Sequence, residues 1–277
     1  GDGEEVDIEV MELYRQCKKE GKSKLEFLEQ AAQIQGVYVP AFYDVTYNED
    51  GTVKAYTPTH GAPATVKKRN MMDMDKSYYP KDFVVPLIDV VHNRISEEVL
   101  RGCIRGCRFC QAGFLYRPYR EKSIETIDRQ CRDLCCSTGY DEISLSSLST
   151  SDYSQLNQLI DTLHQWTEGE KVSLSLPSLR VDNFSPELME RINSVRKSGL
   201  TFAPEAGSQR MRDVINKNVT EEQLLHTVNV AFTEGWTRIK LYFMIGLPTE
   251  TIEDVIAIDE LGQQVVDGFY QNKEKPR

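Results

Sequence analysis

The chain has 277 residues, 40% apolar and 27% charged, enough for a substantial core and too apolar for wholesale disorder. Its 33 Lys and Arg against 43 Asp and Glu leave a formal charge of −10, the wrong sign for a general binder of nucleic acid or anionic membrane. No stretch approaches the ~20 uninterrupted apolar residues of a spanning helix, and the opening Gly-Asp-Gly-Glu-Glu-Val lacks the basic flank and apolar run of a secretory signal. Six of the seven cysteines fall between Cys103 and Cys136, an odd total that suits metal or redox chemistry in a reducing compartment better than a disulfide framework. The expectation is a cytoplasmic protein. Both ends read as internal to a longer polypeptide.

Residues 1–80 differ from the rest. The rhythm of Val6, Val10, Leu13, Leu25, Leu28 and Ile34 predicts two surface helices broken near Gly21. Residues 37–56 are rich in Tyr, Val and Thr around Asp50-Gly51, the mark of a β-hairpin, and residues 57–80 read as a connector. This α+β region is expected to be a linker without chemistry of its own.

From residue 81 strand and helix signals alternate. Residues 84–91 are a buried-strand candidate, followed by 95–100. Helical spacing of Ile124, Ile127, Cys131, Leu134 and Cys135 ends at Gly139, where a C-terminal cap belongs. A strand at 143–148 leads into a helix marked by Leu156, Leu159, Ile160, Leu163 and Trp166. A strand at 172–181 precedes a helix opened by Ser185-Pro186 and closed by Gly199. A short strand at 200–203 follows, then a capping box, Thr220 with Gln223, for a helix ending at Gly235. Residues 236–245 form the most apolar strand, and a last helix runs on from Thr251. This alternation predicts an α/β fold, a partial parallel (β/α) barrel over residues 81–277 with its chemistry at the carboxyl ends of the strands. Five βα units leave a six-unit barrel one strand short, so the core is expected to be truncated at its C-terminal end.

The run Arg101-Gly-Cys103-Ile-Arg-Gly-Cys107-Arg-Phe-Cys110 places three thiols in eight residues after a strand. Its glycines let the backbone wrap closely around something bulky. Disulfides in so tight a loop would be strained and would leave one thiol over. Structural zinc asks for a fourth protein ligand. An iron–sulfur cluster accepts thiolates, and three of them leave one iron open to an exogenous molecule. Zinc or a plain core loop are the alternatives. Cys131 and Cys135, four apart on an amphipathic helix, read as core. Arg101, Arg105, Arg108, Arg117, Arg120 and Lys122 form a basic island that either gathers an anionic substrate or pairs with nearby acids.

With Phe109 before its last cysteine, this CxxxCxxC spacing resembles the signature of the radical S-adenosylmethionine (radical SAM) superfamily. Residues 101–120, 145–153, 176–182, 200–217 and 240–250 are most similar to a subgroup carrying an upstream cobalamin-binding-type domain. The resemblance implies that Cys103, Cys107 and Cys110 bind a [4Fe–4S] cluster whose open iron chelates the amino and carboxylate groups of S-adenosylmethionine. One electron, from a donor such as a flavodoxin or ferredoxin, would then cleave the sulfonium to a 5′-deoxyadenosyl radical.

The resemblance also implies roles around the cofactor. Phe109 would pack near the adenine. In Leu145-Ser-Ser-Leu-Ser149, serines replace a Gly-Gly-Glu-like turn, so Ser147 or Ser149 would meet the methionine amino group, unless the turn merely caps a helix. Arg180 would fork onto the carboxylate, or pair with Asp182. Glu205, in Ala203-Pro-Glu-Ala-Gly-Ser208, would accept the ribose hydroxyls, or simply favour a helix dipole. Arg210, Arg212 and Lys217 are weaker carboxylate partners. Gly246, in Met244-Ile-Gly-Leu-Pro-Thr-Glu-Thr251, would bring backbone to the adenine. The opening segment would be the tail of the cobalamin-type domain, with cobalamin acting in the full-length protein; the substrate is not legible. Competing readings are a methylthiotransferase acting on RNA or protein, which predicts a further cluster, and a non-enzymatic iron–sulfur or zinc module, which needs a fourth cysteine such as Cys131.

Overall fold

The computed structural model describes residues 2–88, 90–177, 180–181 and 200–273. The chain divides into two units, residues 1–78 and 79–277. In the first, helices α1 (Val6–Lys19) and α2 (Lys24–Ala31) flank Gly21, with acids in the first turn of α1 and lysines in its last, as the helix dipole favours. A capping box of Ser23 and Glu26 starts α2. Strands β1 (Tyr43–Tyr47) and β2 (Val53–Pro58) pair antiparallel. The Asp50 carboxylate accepts from the Thr52 amide at 2.9 Å, and Gly51 takes φ +81°. Ala32, Val39, Phe42, Tyr43 and Ala62 form the small core of this unit.

In the second unit the strands with βα connections are parallel. β3 (Ile95–Glu98), β6 (Glu142–Ser146) and β7 (Ser173–Ser175) make one set, with Ile95 opposite Ile143 and Ile143 opposite Leu174. β8 (Leu200–Glu205) and β9 (Ile239–Phe243) make another. Between β3 and β6 lie the short β4 (Leu100–Arg101), α3 (Ala112–Leu115), β5 (Arg120–Glu121) and α4 (Ile124–Thr138). The remaining helices among the described residues are α5 (Leu156–Glu170), α6 (Gln209–Val214), α7 (Glu221–Thr233) and α8 (Ile252–Lys273). Ser123 caps α4, Gly139 ends it at φ +72°, and Thr220 with Gln223 forms the expected box on α7.

The first core gathers Ile127, Cys131, Leu134, Ile143, Leu145, Leu159 and Leu163 between the strands and α4 with α5. Cys131 and Cys135 belong to it, and burial pushes both thiols above their ordinary value. A second core holds Phe202, Leu224, Val228, Trp236 and Leu261 around β8 and β9.

One strand expectation fails. Residues 84–91 form no strand among the described residues, and Val84 and Leu87 are 87% and 105% exposed. Pro86 removes a ladder donor from the middle of the run, and it is Ile95–Glu98 that pairs with β6. The expected strands at 172–181 and 236–245 are shorter, ending at Ser175 and Phe243. The helix expected after Ser185-Pro186 lies outside the described residues.

The end of β8 is irregular for a local reason. Pro204 cannot donate to a ladder, and the register against β9 shifts between Phe202 and Glu205. Glu205 resumes pairing at φ +70°, a left-handed backbone that costs a non-glycine residue on the order of 1 kcal/mol. Such a bulge re-aims the side chain that follows it. Two residues on, a Cβ at Gly207 would stand 2.3 Å from the Ile258 amide nitrogen and 2.5 Å from the Ala257 carbonyl carbon. Those are backbone atoms of α8 and cannot rotate away. Gly207→Ala should therefore lower stability by about 2–3 kcal/mol, read as a shifted urea midpoint at unchanged slope.

Candidate functional site

The cysteine loop begins where the first parallel strand ends. β4 and β5 pair at its two ends, Leu100 opposite Glu121 and Arg101 opposite Arg120, and the Lys122 amide donates to the Val99 carbonyl at 3.0 Å. Residues 102–119 are thereby closed into one loop. Gly102, at φ +94°, lies so near the returning arm that a Cβ would sit 2.7 Å from the Tyr116 carbonyl oxygen. Under the clip, Lys122 Nζ is 2.6 Å from Glu97 Oε1 and 2.9 Å from Gln130 Oε1, all three side chains buried.

Other elements fasten the loop from the sides. Arg105 forks onto Asp152, with Nε donating to Oδ2 at 2.9 Å, and the Tyr119 hydroxyl donates to the Asp152 carbonyl at 2.7 Å. Asn216 Nδ2 donates to the Gly106 carbonyl at 2.8 Å, and the Arg108 amide to the Ile215 carbonyl at 2.9 Å. Most of the basic island is thus engaged. Arg101 pairs with Glu98, Arg105 with Asp152 and Lys122 with Glu97, while Arg108 and Arg120 donate to backbone carbonyls.

Cys103, Cys107 and Cys110 are free thiols, each partly exposed. Burial pushes the Cys107 thiol up, with Lys217 and Arg180 the cations that oppose it. Among the described residues no three His, Cys, Asp or Glu side chains are gathered to hold a single metal ion. The donor chemistry fits an iron–sulfur group: three accessible thiols on one anchored loop, with positive charge beside Cys107 to offset an anionic core.

The structure brings several expected residues to this loop. Phe109 lies under the Lys217 ammonium, 5.9 Å from its ring centroid, and Lys217 Nζ is 3.1 Å from Glu205 Oε1. Arg180 donates to the Lys217 carbonyl at 3.2 Å, and its amide donates to Ser151 Oγ at 3.1 Å. Its alternative partner, Asp182, lies outside the described residues. Ser147 Oγ is 2.8 Å from Thr150 Oγ1 and accepts from the Ser149 amide at 3.1 Å, and Ser149 is buried. These are turn-capping bonds, yet Ser147 also lines a cleft of about 330 Å³ shared with Glu98, Arg101, Gly102, Tyr116 and Leu148. Gly246 leaves β9 at φ +91° with its amide 2.6 Å from Glu250 Oε2.

Three groups escaped the sequence reading or were ranked low in it: Lys217, Asp152 and Asp254. Lys217 joins the loop to β8, and Asp152 holds Arg105. Asp254 accepts from Ser208 Oγ at 2.5 Å and from the Thr251 amide at 2.9 Å, and pairs with Arg210. Each depends on a partner at least a dozen residues away or on another element, which no local pattern announces. Arg210 and Arg212 are committed to the protein, Arg212 donating to the Ala206 and Gly207 carbonyls at 3.0 and 2.7 Å.

Burial pushes the Asp152 carboxyl up, but Arg105 and Ser149 pull harder and it lies below its ordinary value. Arg210 and then Ser208 hold Asp254 far below the usual carboxylate range. Folded-state values below unfolded ones mean the folded chain binds fewer protons, so this stability is complete above the ordinary value of 3.8 and is lost as pH falls through the folded values. Urea midpoints measured on acidification below about pH 4 should fall, less steeply in Asp254→Asn.

The signature of the radical SAM superfamily matches residues 98–262, and that of the N-terminal region of radical SAM proteins matches residues 1–40. The chain belongs to the radical SAM superfamily. An uncharacterised protein of Methanocaldococcus jannaschii is 31% identical over 202 residues, 70% of this chain and 44% of that relative. Among solved structures, the radical S-adenosylmethionine methyltransferase TsrM of Kitasatospora setae, with tryptophan substrate and a SAM analogue bound, aligns at a TM-score of 0.58. That alignment has 13% identity and spans 93% of this chain and 48% of that one. The cobalamin-dependent S-adenosylmethionine radical enzyme OxsB aligns at 0.54 with 15% identity, over 78% of this chain and 31% of its own. The fold is therefore the partial α/β barrel of radical SAM enzymes. The chain spans less than half the length of these relatives. Among the described residues no helix is long and apolar enough to cross a membrane.

Proposed function

We propose that this radical SAM chain carries out reductive cleavage of S-adenosylmethionine, with Cys103, Cys107 and Cys110 as ligands of a [4Fe–4S] cluster. When bound, such a cluster supplies the single electron that splits the sulfonium into methionine and a 5′-deoxyadenosyl radical, which abstracts hydrogen from a substrate. The observation that carries this reading is the loop itself: three free thiols held at the carboxyl end of the first parallel strand, fastened through Arg105, Tyr119, Asn216 and the β4–β5 clip.

This chain's residues then have separable tasks. Phe109 shields one side of the adenosine. Glu205 turns from Lys217 to the ribose hydroxyls, which frees the ammonium for an anionic group. Arg180 faces the carboxylate, the Ser147 and Ser149 turn faces the amino group, and Gly246 offers backbone to the adenine. Similarity to TsrM and OxsB supports a cobalamin partner in the complete protein, and a protein such as a flavodoxin or ferredoxin would donate the electron. Purified and reconstituted without oxygen, the chain should be brown, contain iron and sulfide, and form 5′-deoxyadenosine from S-adenosylmethionine under dithionite. Iron-free material, or iron-loaded chain that yields no deoxyadenosine by mass spectrometry, overturns the proposal.

A further inference from the structure

Two turns flank the face where β8 and β9 end. The first, residues 205–210, carries Glu205; the second, residues 246–251, carries Gly246. Asp254, in the first turn of α8, is only 5% exposed although it is a carboxylate. Its Oδ2 accepts from the Thr251 amide at 2.9 Å and the Thr251 hydroxyl at 3.0 Å, which is what a helix start needs. The other donors do not serve that purpose. Ser208 Oγ donates to Oδ1 at 2.5 Å while accepting from the Met211 amide at 3.1 Å as the cap of α6. Arg210 donates to Oδ1 through Nε at 3.2 Å, forks onto Oδ2, and also donates to the Thr249 carbonyl at 2.9 Å. One carboxylate thus ties the β8 turn to the β9 turn.

The first turn has no slack to absorb a change. Gly207 abuts the backbone of α8, and the Met244 amide binds the Glu205 carbonyl at 2.8 Å. We infer that Asp254 is a positioning residue: through Ser208 and Arg210 it sets the distance between Glu205 and Gly246, and so the affinity for the adenosine half of S-adenosylmethionine. This rests on the roles proposed above for Glu205 and Gly246. The first turn is held by its pairing with β9 and by α8, so without the tie it is the second turn, carrying Gly246, that shifts against it. A misplacement of about 1 Å costs on the order of a hundredfold in a reaction whose geometry is fixed.

The test uses the full chain, iron-loaded without oxygen, as wild type and as Asp254→Asn, Arg210→Gln and Arg210→Lys. Arg210 is half exposed, with a side-chain exposure of 49%, so its variants keep a readout even if Asp254→Asn folds poorly. Equilibrium dialysis with S-adenosylmethionine and with 5′-deoxyadenosine should show affinities about tenfold or more weaker for Arg210→Gln and Asp254→Asn. Arg210→Lys, which keeps the cation, should recover most of the loss. Iron content should match wild type, and the affinity loss of Arg210→Gln should persist unchanged far below its own melting temperature, which a merely structural role would not produce. Wild-type affinity for both ligands in Arg210→Gln, or a loss that follows melting temperature alone, overturns the inference while leaving the proposed function standing. Iron-loaded wild type that binds neither ligand overturns the reading of the site and the inference with it.

Discussion

The Cys107→Ala chain, prepared without oxygen, should be colourless, retain little iron, and form no 5′-deoxyadenosine, while melting at nearly the wild-type temperature. Both halves of that result follow from the loop. Cys107 is the middle of three thiols and feels the charges of Lys217 and Arg180, and its loss leaves two donors for a group that needs at least three. Among the described residues the loop is tied through Arg105, Tyr119, Asn216, the Arg108 amide and the β4–β5 clip. A sulfur contact, from the Arg105 amide to Cys103 Sγ at 3.4 Å, stays within the loop and does not involve Cys107. A variant that lost iron and also unfolded would show that the loop is held by its metal, contrary to these contacts.

Lys122→Met should destabilise the fold more than Cys107→Ala or Gly207→Ala does. Glu97 is 3% exposed in the middle of β3 and meets Lys122 from across the loop base. Removing the ammonium strands a buried carboxylate, typically a loss of about 3–5 kcal/mol. Glu97 then escapes the penalty by taking up a proton, since burial already pushes its carboxyl above the ordinary value. Its folded value lies above its unfolded one, so the loss in Lys122→Met should deepen as pH rises through that folded value. Replacing both partners, Glu97→Leu with Lys122→Met, should recover much of the stability, because well-packed apolar groups often match a buried pair. Urea melts of the three variants check this; a double variant no better than the single would mean the pair matters for shape instead of charge.

Much of the scaffold was legible because its signals are local. Gly139 ends a helix by its own freedom to take positive φ, and Thr220 with Gln223 completes a box within one turn. The thiol loop announced itself by spacing alone. Residues 84–91 misled because a continuous apolar run has no period, so it cannot distinguish a buried strand from an exposed segment. Glu205 was found by its place in a motif, but its left-handed backbone and its pairing with Lys217 were not, since the first arises from a register shift against β9 and the second from a turn twelve residues on. Asp254 does not stand out in the sequence, being one acid among several near a helix start. Its second duty is visible only when two strand ends stand side by side.

Under the proposed function the clipped base of the cysteine loop bears on assembly. Backbone pairing, a carboxylate–guanidinium fork and a tyrosine hydroxyl hold the loop, so a cluster would be loaded onto a finished polypeptide by delivery from a carrier. Loss of the inorganic core to oxygen would then be a reversible injury, repaired by reloading and not by resynthesis.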